Sequence, residues 1–198
     1  MSTRSVIAQR AGDGWEGVYH HSDGYPTGLG CYLFRLIRHQ YKGDVHTFLN
    51  WVLSHDGGWS SIYSGPEGPT CYCHGYFAER DRIEPGQKAG WHTSEEHGFD
   101  IEWVYAFDPN SHKMAVLKHD LFACSDYKSL PSARTTDKAT GPCMKLAGVV
   151  DLNGPEPDWG AIECGPDLER CLHVEGYTHE DRGTWVDRYL PPIPHGVG

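Results

Sequence analysis

The chain has 198 residues, of which 38% are hydrophobic and 12% aromatic, and it carries a formal net charge of −10. This composition excludes a disordered chain and is typical of one globular domain, while the acidic balance argues against general binding to nucleic-acid backbones, which requires clustered Lys and Arg. No apolar run approaches the ~18 residues of a membrane span and no secretory signal is apparent, so we expect a cytoplasmic protein with no membrane partner.

The first predicted element is a β-hairpin. Two short β-favouring runs, 5–10 and 15–21, are joined by Ala-Gly-Asp-Gly, and an Asp-Gly pair between such runs favours a tight turn. Val6 and Ala8 would lie on one side of the first strand and Ile7 on the other. This mixed pattern predicts a strand that is covered on both faces.

Two amphipathic helices follow the hairpin. Turn residues over 22–28 precede the first helix, for which Thr27 is the expected N-cap. Its apolar stripe has helical spacing: Leu29, Tyr32, Leu33, Leu36 and Ile37. Asp44 is the expected N-cap of the second helix, which repeats the spacing and ends at Gly57-Gly58. We expect both helices to pack side by side on one face of a sheet.

The second predicted hairpin spans about 99–119. Residues 99–107 alternate in a way that predicts a half-buried strand with an aromatic face, and Asp108 to Ser111 form its turn. Further on, the sequence predicts a strand at 145–152, short helices at 158–164 and 166–174, a strand at 184–190 and a flexible Pro-rich tail from about 191. The expected fold class is α+β, with a mixed or antiparallel sheet, the N-terminal β-hairpin and two helices packed on the sheet in a single domain, 1–198.

The opening of the chain carries a recognisable pattern. It consists of Thr-Arg-Ser at 3–5, Tyr-His-His-Ser-Asp-Gly-Tyr-Pro at 19–26, and then Gly28 and Gly30 at a helix start. It resembles a family of small uncharacterised bacteriophage and mobile-element proteins with an N-terminal T-R-S strand and an H-x-D-G-Y-P loop. The likeness covers roughly the first forty residues well, although Ser22 stands where one branch has Trp. It implies a phage or mobile-element context, in which accessory proteins of the host cell cytoplasm often antagonise host defence.

The loop from His20 to Gly30 is the candidate ligand site. It leads into a helix N-terminus, where free amide groups favour an anion, and its glycines let backbone approach a partner closely. The residues expected to hold a small anionic or nucleotide-like ligand are Arg4, His20, His21, Asp23, Gly24, Tyr25 and Gly28. The alternative is a purely structural loop, in which Asp23 caps the turn or pairs with Arg4.

Three other patterns could carry chemistry. Ser2, if exposed by removal of Met1, would be an N-terminal nucleophile whose own amine acts as base. Two groups could supply zinc ligands, although C-x₂-C spacing is absent and no cofactor is otherwise predicted: Cys71, Cys73 and His74, and Cys164, Cys171 and His173. Carboxylates near 95–102 could act as a general acid or base in catalysis, but they are more simply explained as the solvated face of a sheet.

The favoured function is therefore that of an accessory protein that acts by binding. It would capture either a small anionic or nucleotide-like ligand or a host protein. Two alternatives stay open at this point: a hydrolase that uses Ser2 or a Cys/His zinc site, and a structural or interaction protein of a larger assembly. The sequence makes no prediction of oligomeric state.

Overall fold

An eight-stranded mixed sheet forms the centre of the protein. The computed structural model describes residues 3–63, 68–72, 91–93, 101–119, 144–165 and 190. The strands are β1 (Ser5–Ala11), β2 (Gly14–His20), β3 (Trp59–Ser61), β4 (Thr70–Cys71), β5 (Trp91–Thr93), β6 (Trp103–Asp108), β7 (Lys113–His119) and β8 (Met144–Asp151). Their order is β4-β3-β2-β1-β6-β7-β8, with β5 also paired to β2. The expected α+β class is confirmed.

The N-terminal hairpin forms as predicted. Strands β1 and β2 are antiparallel, with Ala11 opposite Gly14, and Gly12 adopts the positive φ of 59° that glycine tolerates in such a turn. Ile7 lies in the main core, whereas Val6 and Ala8 belong to a second apolar cluster on the opposite face of the sheet. Strand β1 is therefore covered on both faces.

Parallel pairing joins this hairpin to the second one. Strand β6 runs parallel to β1, with Ser5 opposite Trp103, and antiparallel to β7. The prediction of a half-buried strand was wrong for β6, because Val104 is fully buried and Ala106 nearly so on the face that we expected to be solvated. The centre of the sheet is covered on both sides, as parallel pairing commonly requires.

The two predicted helices pack on the main-core face. A π-helical turn (Pro26–Gly30) runs directly into α1 (Cys31–His39), and α2 (Val45–Leu53) follows. Asp44 caps α2 as expected, since its Oδ1 accepts a hydrogen bond from the Thr47 amide at 3.0 Å. Thr27 is not an N-cap, because it lies buried inside the π-helical turn, which follows Tyr25 without a side-chain cap.

The later elements are described in part. The predicted strand at 145–152 corresponds to β8, and the predicted short helix corresponds to α3 (Trp159–Cys164), which Asp158 caps. The predicted helix at 166–174, the strand at 184–190 apart from its last residue, and the tail from 191 lie outside the described residues. Of the helices within the described ranges, none combines the length and hydrophobicity needed to cross a membrane.

Candidate functional site

The loop at 20–30 is anchored through its backbone. The Tyr63 hydroxyl donates to the Asp23 carbonyl at 2.8 Å, and the buried Tyr105 hydroxyl donates to the Gly24 carbonyl at 2.8 Å. The Gly24 amide in turn donates to the Thr3 carbonyl at 2.9 Å. These contacts hold the loop between β1, β6 and the segment after β3.

Close approach explains why glycine follows Asp23. A Cβ on Gly24 would lie 2.5 Å from Ser5 Oγ and 2.8 Å from the Thr3 carbonyl. Asp23 itself has a positive φ of 50°, which Asp adopts more readily than most residues. Partial burial raises the pKa of the Asp23 carboxyl above its ordinary value. Asp-Gly is therefore the pair that this tight corner requires.

The amide groups at the start of the helix are not free. The Thr27 amide donates to Glu163 Oε2 at 3.0 Å, the Gly28 amide to the Tyr25 carbonyl at 3.0 Å, and the Leu29 amide to the Asp23 carbonyl at 3.1 Å. The expectation that these amides await an external anion was wrong, because acceptors of the protein itself occupy all three. The residues proposed to hold a ligand there stay a prediction, without this support.

Glu163 takes the place of the expected anion. Its carboxylate also accepts a hydrogen bond of 2.6 Å from the Thr27 hydroxyl, and the residue is only 5% exposed. A negative charge at this position is favoured by the helix dipole. Glu163 comes from α3, far along the chain, and sequence reasoning missed it because no local pattern links α3 to the loop.

His20 is locked in a neutral form. It is fully buried, Nε2 accepts a hydrogen bond from the Ile62 amide at 3.2 Å, and Nδ1 lies 3.4 Å from Ser5 Oγ. Because Nε2 is the acceptor, the proton belongs on Nδ1, which donates to Ser5. Burial, with a smaller contribution from His21, lowers the pKa of His20 to about 3. His20 is therefore neither a cation for an anionic ligand nor a base for Ser5.

The other predicted ligand residues do not lie together: Tyr25 and Arg4 lie at the loop, and His21 lies in a separate aromatic cluster. Tyr25 stays in the buried loop, where its ring would collide with a Cβ on Gly28. His21 belongs instead to an aromatic cluster, in which the Tyr19 hydroxyl lies 2.7 Å from His21 Nδ1 and the Tyr72 ring lies edge-on. Arg4 flanks the loop, and its amide donates to Glu102 Oε1 at 3.3 Å.

Most of the residues predicted as metal ligands or as a nucleophile lie outside the described residues. Of the zinc candidates, only Cys71 and Cys164 are described. Within the described ranges, no group of three or more His, Cys, Asp or Glu could hold a metal ion. The remaining candidates lie outside those ranges and stay predictions: Ser2, Cys73, His74, Cys171 and His173.

A cavity of about 290 Å³ opens where the two hairpin turns lie side by side. It lies on the face of the sheet opposite to the main core and to the loop at 20–30. Arg10, Asp13, Gly14 and Trp15 line it from the first hairpin. The rest of the lining comes from the second hairpin and from β8: Ala106, Asp108, Ser111, Lys113, Ala115, Leu117 and Val149. The parallel pairing of β1 with β6 brings these two groups together. The arrangement places two cationic side chains beside an apolar wall, which suits a small ligand.

Small side chains create the space. Ala8 lies opposite Ala106 across β1 and β6, and Ala106 lies opposite Ala115 across β6 and β7. Of these alanines, Ala106 and Ala115 line the cavity, together with the larger Trp15 and Val149. The sequence does indicate that Arg10 and Trp15 share one side of the first hairpin, but no local signal shows that the second hairpin lies next to it.

Comparison with known proteins gave no match to a protein-family model, to a curated protein or to a solved structure.

Proposed function

We propose that this chain is a phage or mobile-element accessory protein that acts by binding a small ligand in the cavity between the two hairpin turns. The observation that carries the proposal is the cavity itself, about 290 Å³ in volume, with Arg10 and Lys113 beside an apolar wall. Pockets of this kind, apolar with a few convergent polar groups, are the usual form of small-molecule sites.

Binding is favoured over catalysis at two buried acid–base groups, His20 and Glu163, because the protein itself engages them. His20 Nε2 is occupied by the Ile62 amide, and the Glu163 carboxylate is occupied by Thr27. A general base needs a free lone pair within reach of a substrate proton. The phage or mobile-element context rests on the resemblance of the first forty residues, and antagonism of host defence by ligand capture would fit that context.

The proposal places the ligand on the opposite face of the sheet from the loop at 20–30. The role of that loop is to fix the first helix against the centre of the sheet through Tyr105 and Glu163. Capture at the cavity needs no change in the buried core, because the hairpin turns are exposed.

A thermal-shift screen of small metabolites, with binders verified by calorimetry, tests the proposal. We expect at least one binder for the native chain and none for Ala115→Trp, which fills the cavity from β7. Leu146→Trp is the matched control, because Leu146 is 56% exposed on β8 and does not line the cavity. Absence of any binder, or binding that survives Ala115→Trp, would contradict the proposal.

A further inference from the structure

We infer that the ligand of this cavity has a ring-shaped apolar body and a single anionic group, such as a carboxylate or a phosphate monoester. This inference rests on the proposed function, because it names the class of ligand for the same site. Three features support it: the unused hydrogen-bond donors of the lining, the state of its carboxylates, and the shape of its apolar wall.

The donors come from the two cations. Arg10 Nε donates to the Gly12 carbonyl at 3.3 Å, which holds the guanidinium at the hairpin turn. Within the described residues, the terminal amino groups of Arg10 and the ammonium group of Lys113 have no hydrogen-bond acceptor. A guanidinium and an ammonium at one site bind carboxylate or phosphate oxygens well, because hydrogen bonds between charged groups are shorter and stronger than neutral ones.

The two carboxylates of the lining, Asp13 and Asp108, differ in whether their oxygens already accept hydrogen bonds. Asp108 Oδ2 accepts from the Ser111 hydroxyl at 2.7 Å, and Oδ1 accepts from the Asn110 amide at 3.0 Å, so its oxygens serve the β6–β7 turn. These bonds, led by that of Ser111, lower the pKa of Asp108, and attraction to Arg10 makes a smaller contribution in the same direction. Asp13 is exposed on the β1–β2 turn. Asp108 therefore offers Arg10 and Lys113 less acceptor capacity than an unbonded carboxylate would.

The number of negative charges on the ligand is limited. The formal charges of Arg10 and Lys113 are balanced by those of Asp13 and Asp108, and the whole chain carries −10. A polyphosphate would meet this negative field without enough cations to offset it. One anionic group placed directly at Arg10 and Lys113 avoids that repulsion, because its contacts are short and local.

The wall of the cavity selects a flat apolar body. Ala106, Ala115, Leu117 and Val149 contribute apolar side chains to its lining. Side chains on one face of a sheet are separated by the distance between neighbouring strands. Small side chains on adjacent strands therefore leave a shallow, flat space between larger neighbours. A volume of about 290 Å³ lies at the lower end of ligand sites, which favours one or two rings over a dinucleotide.

Matched pairs of probes test the inference. The pairs are AMP with adenosine and indole-3-acetate with indole-3-acetamide, and the members of each pair share the ring body but differ in the anionic group. We expect the anionic member of at least one pair to bind at least about tenfold more tightly than its neutral partner, and ATP to bind no more tightly than AMP. A neutral member that binds equally well, tighter binding of ATP, or no binding by either pair would overturn the inference.

Two pairs of variants locate the anionic group. Val149→Glu introduces a carboxylate into the cavity and should weaken binding of the anionic probe about tenfold, whereas Leu146→Glu should leave it unchanged. The two positions are matched, since both lie on β8 and are 57% and 56% exposed. Lys113→Met should also weaken binding about tenfold, whereas Lys145→Met should not.

Equal effects within either pair of variants would overturn the placement of the anion. The wider metabolite screen separates this failure from failure of the proposed function. If a neutral or cationic metabolite binds and Ala115→Trp abolishes that binding, the cavity is a ligand site of another class. If no metabolite binds, the proposed function fails as well.

Discussion

One carboxylate oxygen of Glu163 lies 3.0 Å from the Thr27 amide nitrogen and 2.6 Å from the Thr27 hydroxyl. The two residues are 136 positions apart in the sequence. Helix α3 therefore supplies the negative charge at the start of the π-helical turn, in a place where the sequence pattern suggested a site for an external anion. The contact is a tertiary link between α3 and the start of the π-helical turn.

Removal of this carboxylate should destabilise the fold. In Glu163→Ala the buried Thr27 amide and hydroxyl lose their acceptor, and we expect the free energy of unfolding to fall by about 2 kcal/mol. Glu163→Gln retains one acceptor oxygen and should lose less. Urea denaturation measures both, and Thr27→Ser, which keeps the hydroxyl, is the control. A native-like stability for Glu163→Ala would show that water or another group satisfies Thr27.

The pH dependence of stability should contain a contribution from His20. The folded pKa of about 3 lies below the ordinary value of 6.5, so between these values the unfolded chain binds a proton that the folded chain does not. The free energy of unfolding should fall as pH drops from about 6.5 towards 3, by up to about 1.4 kcal/mol per pH unit.

Above pH 6.5, His20 should contribute nothing to the pH dependence of the free energy of unfolding, because it is neutral in both the folded and the unfolded chain. Unfolding curves at several pH values should show a shallower dependence for His20→Gln, which keeps an acceptor for the Ile62 amide but cannot titrate. Ser5→Ala retains the imidazole and should keep the steep dependence of the native chain. The same slope for the native chain and His20→Gln would mean that His20 accepts its proton while folded.

Gly24→Ala should disrupt the corner between the hairpin and the first helix. The new Cβ would lie within 2.8 Å of Ser5 Oγ and the Thr3 carbonyl, and overpacking of this kind typically costs about 1–3 kcal/mol. Adding Ser5→Gly should recover part of the loss, because it removes the nearest side-chain atoms. Thermal unfolding of the single and double variants measures this coupling.

A glycine control separates crowding from backbone strain. Gly12 has a positive φ of 59° but open space around it. Gly12→Asn should therefore be tolerated, since Asn adopts this conformation more readily than most residues. A loss for Gly12→Asn as large as that for Gly24→Ala would argue against crowding as the cause.

The buried ion pair between α1 and the segment before α3 should be costly to break. The Arg35 guanidinium lies 2.8 Å from Glu156 Oε1, and both side chains are at most 10% exposed. Arg35→Met leaves a buried carboxylate without its cation, and we expect the free energy of unfolding to fall by about 3–5 kcal/mol. Adding Glu156→Leu should recover much of this loss. Chemical denaturation tests both.

Arg38→Met is the matched control for this pair. Among the described residues, Arg38 Nη1 donates to two backbone carbonyls, those of Leu152 and Gly154. Removing these hydrogen bonds should cost about 1 kcal/mol, because no carboxylate is left behind. If the two single variants are equally destabilised, the charge of Glu156 is not the reason for the effect.

Local signals predicted the elements of this fold well. The Asp44 cap and the apolar spacing after it fix α2 within a few residues of sequence, and the Asp-Gly turn fixes the first hairpin. The turn at Asp108 is equally local, because its side chain binds the next residues of the chain. These interactions depend on neighbours in sequence, so pattern reasoning finds them.

Long-range contacts account for what could not be predicted. The parallel pairing of β1 with β6 and the bond from Glu163 to Thr27 join parts of the chain that share no pattern. The expectation of free amides at the helix start failed for this reason, since Glu163, which accepts the Thr27 amide, lies on a distant helix. The cavity escaped notice for the same reason, because Arg10 and Lys113 line one cavity only when the two hairpins lie side by side.

The position of β1 between β2 and β6 has a consequence for how the molecule assembles. Its N-terminal end meets β6 where the Arg4 amide binds Glu102, 98 positions later. An isolated hairpin is marginal in water, and β6 adds a parallel partner strand along β1 from Ser5 to Gln9. Strand β1 thus joins the two halves of the sheet. Without it, β4-β3-β2 and β6-β7-β8 would be two separate sheets, and β2 and β6 would each become an edge strand with unpaired backbone groups.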